Sequence, residues 1–296
     1  MEFVRKHLLA TGLGLMLLSA FGYSLFDVLA KFLTVHFPAT EIALVRFVLG
    51  GLILWPILSS RGIPLRGNQT WILILRGLCG TLSFFCLLKS LTLIPLSTTM
   101  VLFYTFPVFV VLFSTLLFRT RIEMGEVLLI GLGLLGAYIL IDPHFHSLNP
   151  GYLFALLASA IGGMATVMVH KARERNGPLI IYFYFCLMGT LLSLPCIQEF
   201  RVPNANQAIV LILASIVVMV AQILMNQGFR YCRAAEGSLI LMSEIIFAAI
   251  GGFLVFKDPM TPRFLLGALL IIGSGLGLNL INRRSRHAPV SEPGDS

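Results

Sequence analysis

The sequence predicts an all-α polytopic membrane protein, with ten transmembrane helices arranged as two inverted five-helix repeats. Three observations predict it. Of 296 residues, 57% are hydrophobic and only 11% are charged. A soluble domain carries about 25% charged residues, so most of this surface must face lipid. The apolar runs are continuous rather than alternating. That selects helices over a barrel, because each helix satisfies its own backbone polar groups. Finally, the chain repeats itself. Shifting Leu87–Phe118 by 138 positions lays Phe109 on Phe247, Leu116 on Leu254, Phe118 on Phe256 and Thr105 on Ser243. Shifting Thr11–Lys31 by 140 lays Leu13 on Leu153, Leu17 on Leu157, Ser19-Ala20 on Ser159-Ala160, Gly22 on Gly162 and Lys31 on Lys171. Pro56 and Pro195 are 139 apart. Apolar helices resemble one another by composition, but three anchors at nearly one offset indicate two halves sharing one plan.

A spanning helix needs about 20 apolar residues. The first stretch, 8–34, follows Arg5, Lys6 and His7, as a signal peptide would. Its apolar run continues to Val28 without a small-residue cleavage site and matches the start of the second half, so it reads as a membrane helix. The second, 41–60, stops at Arg61–Gly67 with Pro64. The third, 70–90, and fourth, 97–118, flank Pro95, and the fifth, 124–141, ends at Asp142–Pro150. In the second half, 151–170 ends at Lys171–Pro178, and 179–197 ends at Gln198–Asn206 with Pro203. The stretches 207–229 and 234–256 flank Arg230–Arg233, and 263–282 follows Lys257–Pro262. All these breaks consist of turn and breaker residues. The expected domains are 1–147 and 148–284, one repeat each, with 285–296 a disordered cytoplasmic tail.

Positive charge sets the orientation. With the N-terminus inside, fourteen Lys and Arg residues fall at cytoplasmic ends and three in outer loops. Both termini are therefore expected in the cytoplasm, with the protein in the inner (plasma) membrane. Five helices per half is an odd number, so the second half must enter from the opposite side. Exchanging the conformations of two such halves turns an inward-open cavity outward. The net charge of +8 reads as this loop bias. No basic stripe with interleaved aromatics suggests nucleic acid.

Two five-helix repeats with short loops and cytoplasmic termini resemble the drug/metabolite transporter superfamily, in particular its EamA-type members. The second helix opens with Glu41 and Val45-Arg46-Phe47, like the family's acidic-then-Arg-Phe signature. The end of the first repeat is similar too, with Pro107 in the fourth helix, Glu126 opening the fifth and glycines along it. In the second repeat Glu244 matches the acidic residue of an "EP" pair, but Ile245 stands where proline is common. The resemblance covers nearly the whole chain. It implies a secondary transporter working by alternating access, in a superfamily whose members export amino acids or carry riboflavin, S-adenosylmethionine, drugs or nucleotide sugars.

Ionisable groups inside a bilayer cost about 2.5–3.5 kcal/mol each on insertion scales, so each needs a reason. Arg46 is either a cavity cation for a substrate carboxylate or phosphate, or a partner of Glu41, or a snorkelling residue. Lys89, near the outer end of its helix, has the same choice between substrate and interface. Asp27 and Lys31 are one turn apart and suit an intrahelical ion pair or a proton or substrate role. Arg76, one and a half turns from the cytoplasmic end, can snorkel. Glu244 is mid-span and too deep to snorkel, so it either couples to protons or braces the helix through a hydrogen bond. Tyr104 with Gln222 and Asn226, which share a helix face, can line a polar cavity. The substrate-binding candidates are Arg46, Tyr104, Lys89, Gln222, Asn226 and Glu244, and the coupling candidates are Glu244 and Asp27.

The basic charge is asymmetric. Cys186 and Gln227 occupy the positions equivalent to Arg46 and Lys89. A carboxylate near Arg46 and an amine near Glu244 point to an amino-acid-like metabolite, moved by export or exchange. A multidrug or vitamin/nucleoside-type carrier is the alternative within the fold. An intramembrane lipid-modifying enzyme is the alternative outside it, with Asp142, His144 and His146 as its only reactive cluster. Neither a metal site nor a cofactor is expected, since the five cysteines show no metal spacing and no nucleotide loop is present. Gly131-Leu-Gly133-Leu-Leu-Gly136 mimics a dinucleotide fingerprint, but inside a spanning helix it suits close packing. Gly273–Gly277 is a GxxxG that suits packing within the chain or a homodimer contact. The expected partners are thus a small-molecule substrate, the lipid bilayer and a second copy, with no nucleic acid.

Overall fold

The structure is a computed structural model that describes residues 2–34, 36–94, 96–118, 124–141, 149–196, 201–256 and 262–285. Among the described residues every regular element is helical: α1 (Glu2–Leu33), α2 (Ala39–Ser60), α3 (Thr70–Leu91), α4 (Leu96–Phe103), α5 (Phe106–Phe118) and α6 (Met124–Ile141), then α7 (Pro150–Ala172), α8 (Pro178–Ser193), α9 (Ala205–Gly228), α10 (Ala234–Leu241), α11 (Ser243–Gly251) and α12 (Pro262–Ser285). Among the described residues seven helical stretches are long and apolar enough to cross a membrane, and three shorter apolar helices accompany them. Local chemistry fixes the ends. Gly62, at φ +61°, ends α2 with its left-handed backbone. Asn149 caps α7 by accepting from the Gly151 N–H at 2.8 Å. Asn204 and Gln207 form a reciprocal capping box on α9.

Two spans are broken in the middle, at equivalent positions. α4 gives way to α5 at Tyr104-Thr105, and α10 to α11 at Met242, 138 residues later. Pro107 explains the first break, because it removes an N–H in the first turn of α5. The second half has Ile245 there, yet it breaks all the same. A shared device replaces the proline. The Thr105 hydroxyl donates to the Leu102 carbonyl at 2.7 Å, and the Ser243 hydroxyl donates to the Ile240 carbonyl at 2.7 Å. In lipid such bonds satisfy the carbonyls that a broken helix frees.

α3 packs along α7 and α1 along α9, α2 faces α8, and α6 pairs with α12. Small residues set these approaches. A Cβ at Gly12 would meet Tyr231 and Cys232 at 2.7 and 2.9 Å, and one at Gly151 would meet Ile94 and Leu93 at 2.7 and 3.0 Å. The outer faces are apolar: Leu128 and Leu269 are each 68% exposed, as lipid-facing side chains are.

The glycine run of α6 divides by face. A Cβ at Gly136 would lie 2.8 Å from the Gly267 carbonyl oxygen of α12, whereas at Gly131 nothing lies within 4 Å. Gly136→Ala is expected to destabilise the protein by about 1–3 kcal/mol through overpacking. Gly131→Ala is expected to leave thermal unfolding of the detergent-solubilised protein unchanged.

Candidate functional site

The two helix breaks bring polar groups together inside the bundle. Glu244 lies in the first turn of α11, where free backbone N–H groups favour a carboxylate. α1 packs along α11, with Phe21 and Phe247 edge-to-face at 5.7 Å. This brings the Asp27 carboxyl into hydrogen-bond contact with Glu244, and Tyr104, at the other break, donates its hydroxyl to Glu244. Two carboxyl groups in contact can hold one proton between them, because ionising both sets like charges side by side. The sequence suggested Lys31 as the partner of Asp27. The Lys31 side chain lies outside the described residues. Asp27 is exposed and Glu244 half-buried.

One turn before Asp27, the Tyr23 hydroxyl donates to Gln222 Oε1 at 2.6 Å. This joins α1 to α9 on the same face. The Ser19 hydroxyl fixes that helix pair by donating to the Ala221 carbonyl at 2.8 Å.

Two arginines follow. Arg46 on α2 is 8% exposed and Arg76 on α3 is 4% exposed. The guanidinium carbon of Arg46 lies 4.8 Å from the Phe47 ring centroid, 4.9 Å from Phe84, 5.6 Å from Phe26 and 5.8 Å from Phe185. That of Arg76 lies 4.1 Å from the Phe185 ring. The rings offer their negative faces to the cations. Neither arginine forms an ion pair among the described residues, and the Nε of each is buried without a hydrogen-bond partner. Glu41 does not serve Arg46. Its carboxylate accepts from the Arg201 backbone N–H at 3.4 Å. Arg76 does not snorkel either. Gly77 and Gly80 bring α3 against Tyr184, Phe185 and Met188 of α8, which turns Arg76 inward.

The remaining candidates separate from this cluster. Asn226 is 0% exposed, and its amide donates to the Pro178 carbonyl at 3.2 Å, so it staples α9 to α8. Lys89 is exposed on the last turn of α3, which favours the interfacial reading. Trp55 and Trp71 are exposed, as belt residues would be. Asp142, His144 and His146 lie outside the described residues. Among the described residues no group of three His, Cys, Asp or Glu side chains could hold a metal.

A cavity of about 320 Å³ opens between α5, α6, α7 and α10, at the end carrying Lys171 and Arg233. It is lined by the Glu126–Arg233 ion pair, His170 and Lys171. At the opposite end, the cleft between Phe37, Glu41, Ile42, Arg201 and Leu211 is too narrow for water.

Comparison with known proteins matches the EamA-like transporter family to residues 10–142 and again to 149–280. The chain is 27% identical over 275 residues to the pseudopaline exporter CntI of Pseudomonas aeruginosa, covering 92% of this chain and 97% of that one. It is 24% identical to the S-adenosylmethionine uptake transporter of Rickettsia felis, covering 90% and 91%. It is also 24% identical to the riboflavin transporter of Vibrio cholerae, covering 90% and 92%. A solved crystal structure shares the fold at a TM-score of 0.80 and 19% identity, covering 93% of this chain and 99% of that one.

Proposed function

We propose that this chain, which belongs to the EamA-like transporter family, is a secondary transporter of a small amino-acid-like metabolite that works by alternating access. It is a multi-pass membrane protein of the drug/metabolite transporter superfamily and not an enzyme, as its relatives are named transporters. The ten spans, their division at 147/148 into two inverted repeats, the inner-membrane location and the cytoplasmic termini belong to the proposal.

Matched contacts support the repeat. Gly12 faces Tyr231 and Cys232 as Gly151 faces Leu93 and Ile94, and Gly22 faces Ala221 as Gly162 faces Ser83. The helix breaks and their hydroxyl bonds also correspond. Discontinuous helices meeting at the centre are where transporters of this kind place substrate and coupling-ion sites. With the arginine-rich end in the cytoplasm, the free cavity faces inward and the outer cleft is closed.

One observation carries the substrate class: an acid pair, Asp27–Glu244, and a partnerless cation, Arg46, lie inside the same bundle. Asp27 and Arg46 are close enough to interact electrostatically. An amine suits the first and a carboxylate the second. A solute carrying both charges satisfies the two ends at once, whereas a purely cationic drug leaves the arginine bare.

The test is counterflow in vesicles holding the purified protein, preloaded with amino acids, riboflavin, nucleosides or cationic drugs in turn. Exchange of zwitterionic metabolites is the expected result. Exchange confined to riboflavin, nucleosides or cationic drugs would replace the substrate class. Movement of none, under any gradient, would remove the transport reading.

A further inference from the structure

We propose that Arg46 and Arg76 together form a subsite for two carboxylates, so that the favoured substrate is a dicarboxylic, amine-bearing metabolite. This deepens the transport reading and rests on it. The amine-and-carboxylate site uses Arg46 alone. Arg76 is a second cation buried in the same interior, without a carboxylate of its own.

Both guanidinium groups address one ring. Their carbons lie 5.8 and 4.1 Å from the Phe185 centroid, so they are no farther apart than those two distances combined. Like charges that close repel, and burial adds to the cost. Aromatic faces offset only part of it, because a guanidinium has five N–H donors and a ring satisfies none in its plane. A structural arginine in a membrane interior normally finds a carboxylate or backbone carbonyls. Among the described residues these two find neither, and each keeps a buried Nε without a partner.

The surroundings hold the arrangement in place. Phe47 packs edge-to-face on Phe185 at 5.0 Å, which fixes the ring that both cations contact. A Cβ at Gly80 would collide with the guanidinium of Arg76 and lie 2.9 Å from the Phe185 ring, so a side chain there would push Arg76 from its present place. Two planar forks on two different helices match two planar carboxylates, each taken bidentately. A single monocarboxylate leaves one fork empty. A phosphate has one tetrahedral centre and engages both only if they converge on a point.

The experiment measures thermal stabilisation of the purified, detergent-solubilised protein by alanine, glutamate, glutarate and inorganic phosphate, on wild type, Arg76→Gln, Arg76→Lys and Arg46→Gln. Ligand that binds only the folded state raises its stability by mass action. Glutamate is expected to bind wild type at least about tenfold more tightly than alanine, and Arg76→Gln is expected to erase that difference while alanine binding persists. Arg76→Lys keeps the charge and is expected to retain part of it. Without added solute, Arg76→Gln is expected to unfold at a temperature no lower than wild type, since it removes an unpaired buried cation. A lower unfolding temperature would return Arg76 to a packing role. Equal binding of alanine and glutamate by wild type, an undiminished glutamate preference in Arg76→Gln, or a preference for phosphate over glutamate would each overturn the dicarboxylate subsite. Counterflow of monocarboxylic amino acids would meanwhile show transport intact, so the two failures are distinguishable.

Discussion

Arg46→Gln is expected to abolish transport of carboxylate-bearing substrates, by at least about a hundredfold in kcat/KM. The magnitude follows from the site's dryness. Arg46 is 8% exposed and enclosed by Phe26, Phe47, Phe84 and Phe185. A carboxylate entering that enclosure leaves its water behind. Only a charge-assisted bidentate bond offsets such desolvation, and glutamine offers one neutral donor group. The loss is expected in KM as well as in turnover, because the same contact must form before the halves exchange conformation. Arg46→Lys restores charge without the planar fork and is expected to recover only a fraction. The comparison is made on correctly inserted protein, with expression and unfolding temperature checked for each variant. Unchanged transport of amino acids by Arg46→Gln would sink the carboxylate role and leave Arg46 as a cation braced by aromatic rings.

The all-helical, multi-pass character was legible in the sequence because lipid imposes length and composition. The helix breaks were half legible. Pro107 announces one, but Met242 has no proline near it, and only the equivalence of Thr105 and Ser243 could have placed the second. Side-chain direction was hidden. These helices are apolar on every face, so periodicity does not tell the protein side from the lipid side. That is why Arg76 looked able to snorkel. A signal was present in the glycines beside it, since Gly77 and Gly80 mark the face where α3 closes on α8. Asn226 could not be told from Gln222 for the same reason, although one staples a neighbouring helix and the other meets Tyr23. The Asp27–Glu244 contact joins residues more than 200 positions apart, and nothing local foretells it.

Glu244→Gln is expected to separate exchange from coupled transport. Asp27 and Glu244 are in contact, with Tyr104 donating to Glu244, and a carboxyl pair in contact can hold one proton between its members. A substrate amine arriving at this pair carries its own positive charge. It binds most tightly when the pair has lost its proton, so proton and amine weaken one another's binding there. Proton and substrate thus compete for one site, which is the requirement for proton-driven export. Glutamine keeps the shape and can still accept from Tyr104, but it holds no proton to surrender. In vesicles, one unit of pH gradient sustains about a tenfold substrate gradient when one proton exchanges for one substrate. Glu244→Gln is expected to lose that accumulation entirely while retaining substrate-for-substrate counterflow, with Asp27 alone holding the amine. Asp27→Asn is expected to do the same, which a helix-bracing role for Glu244 would not produce. Accumulation that still follows the pH gradient in both variants would show that the pair does not carry the coupling proton.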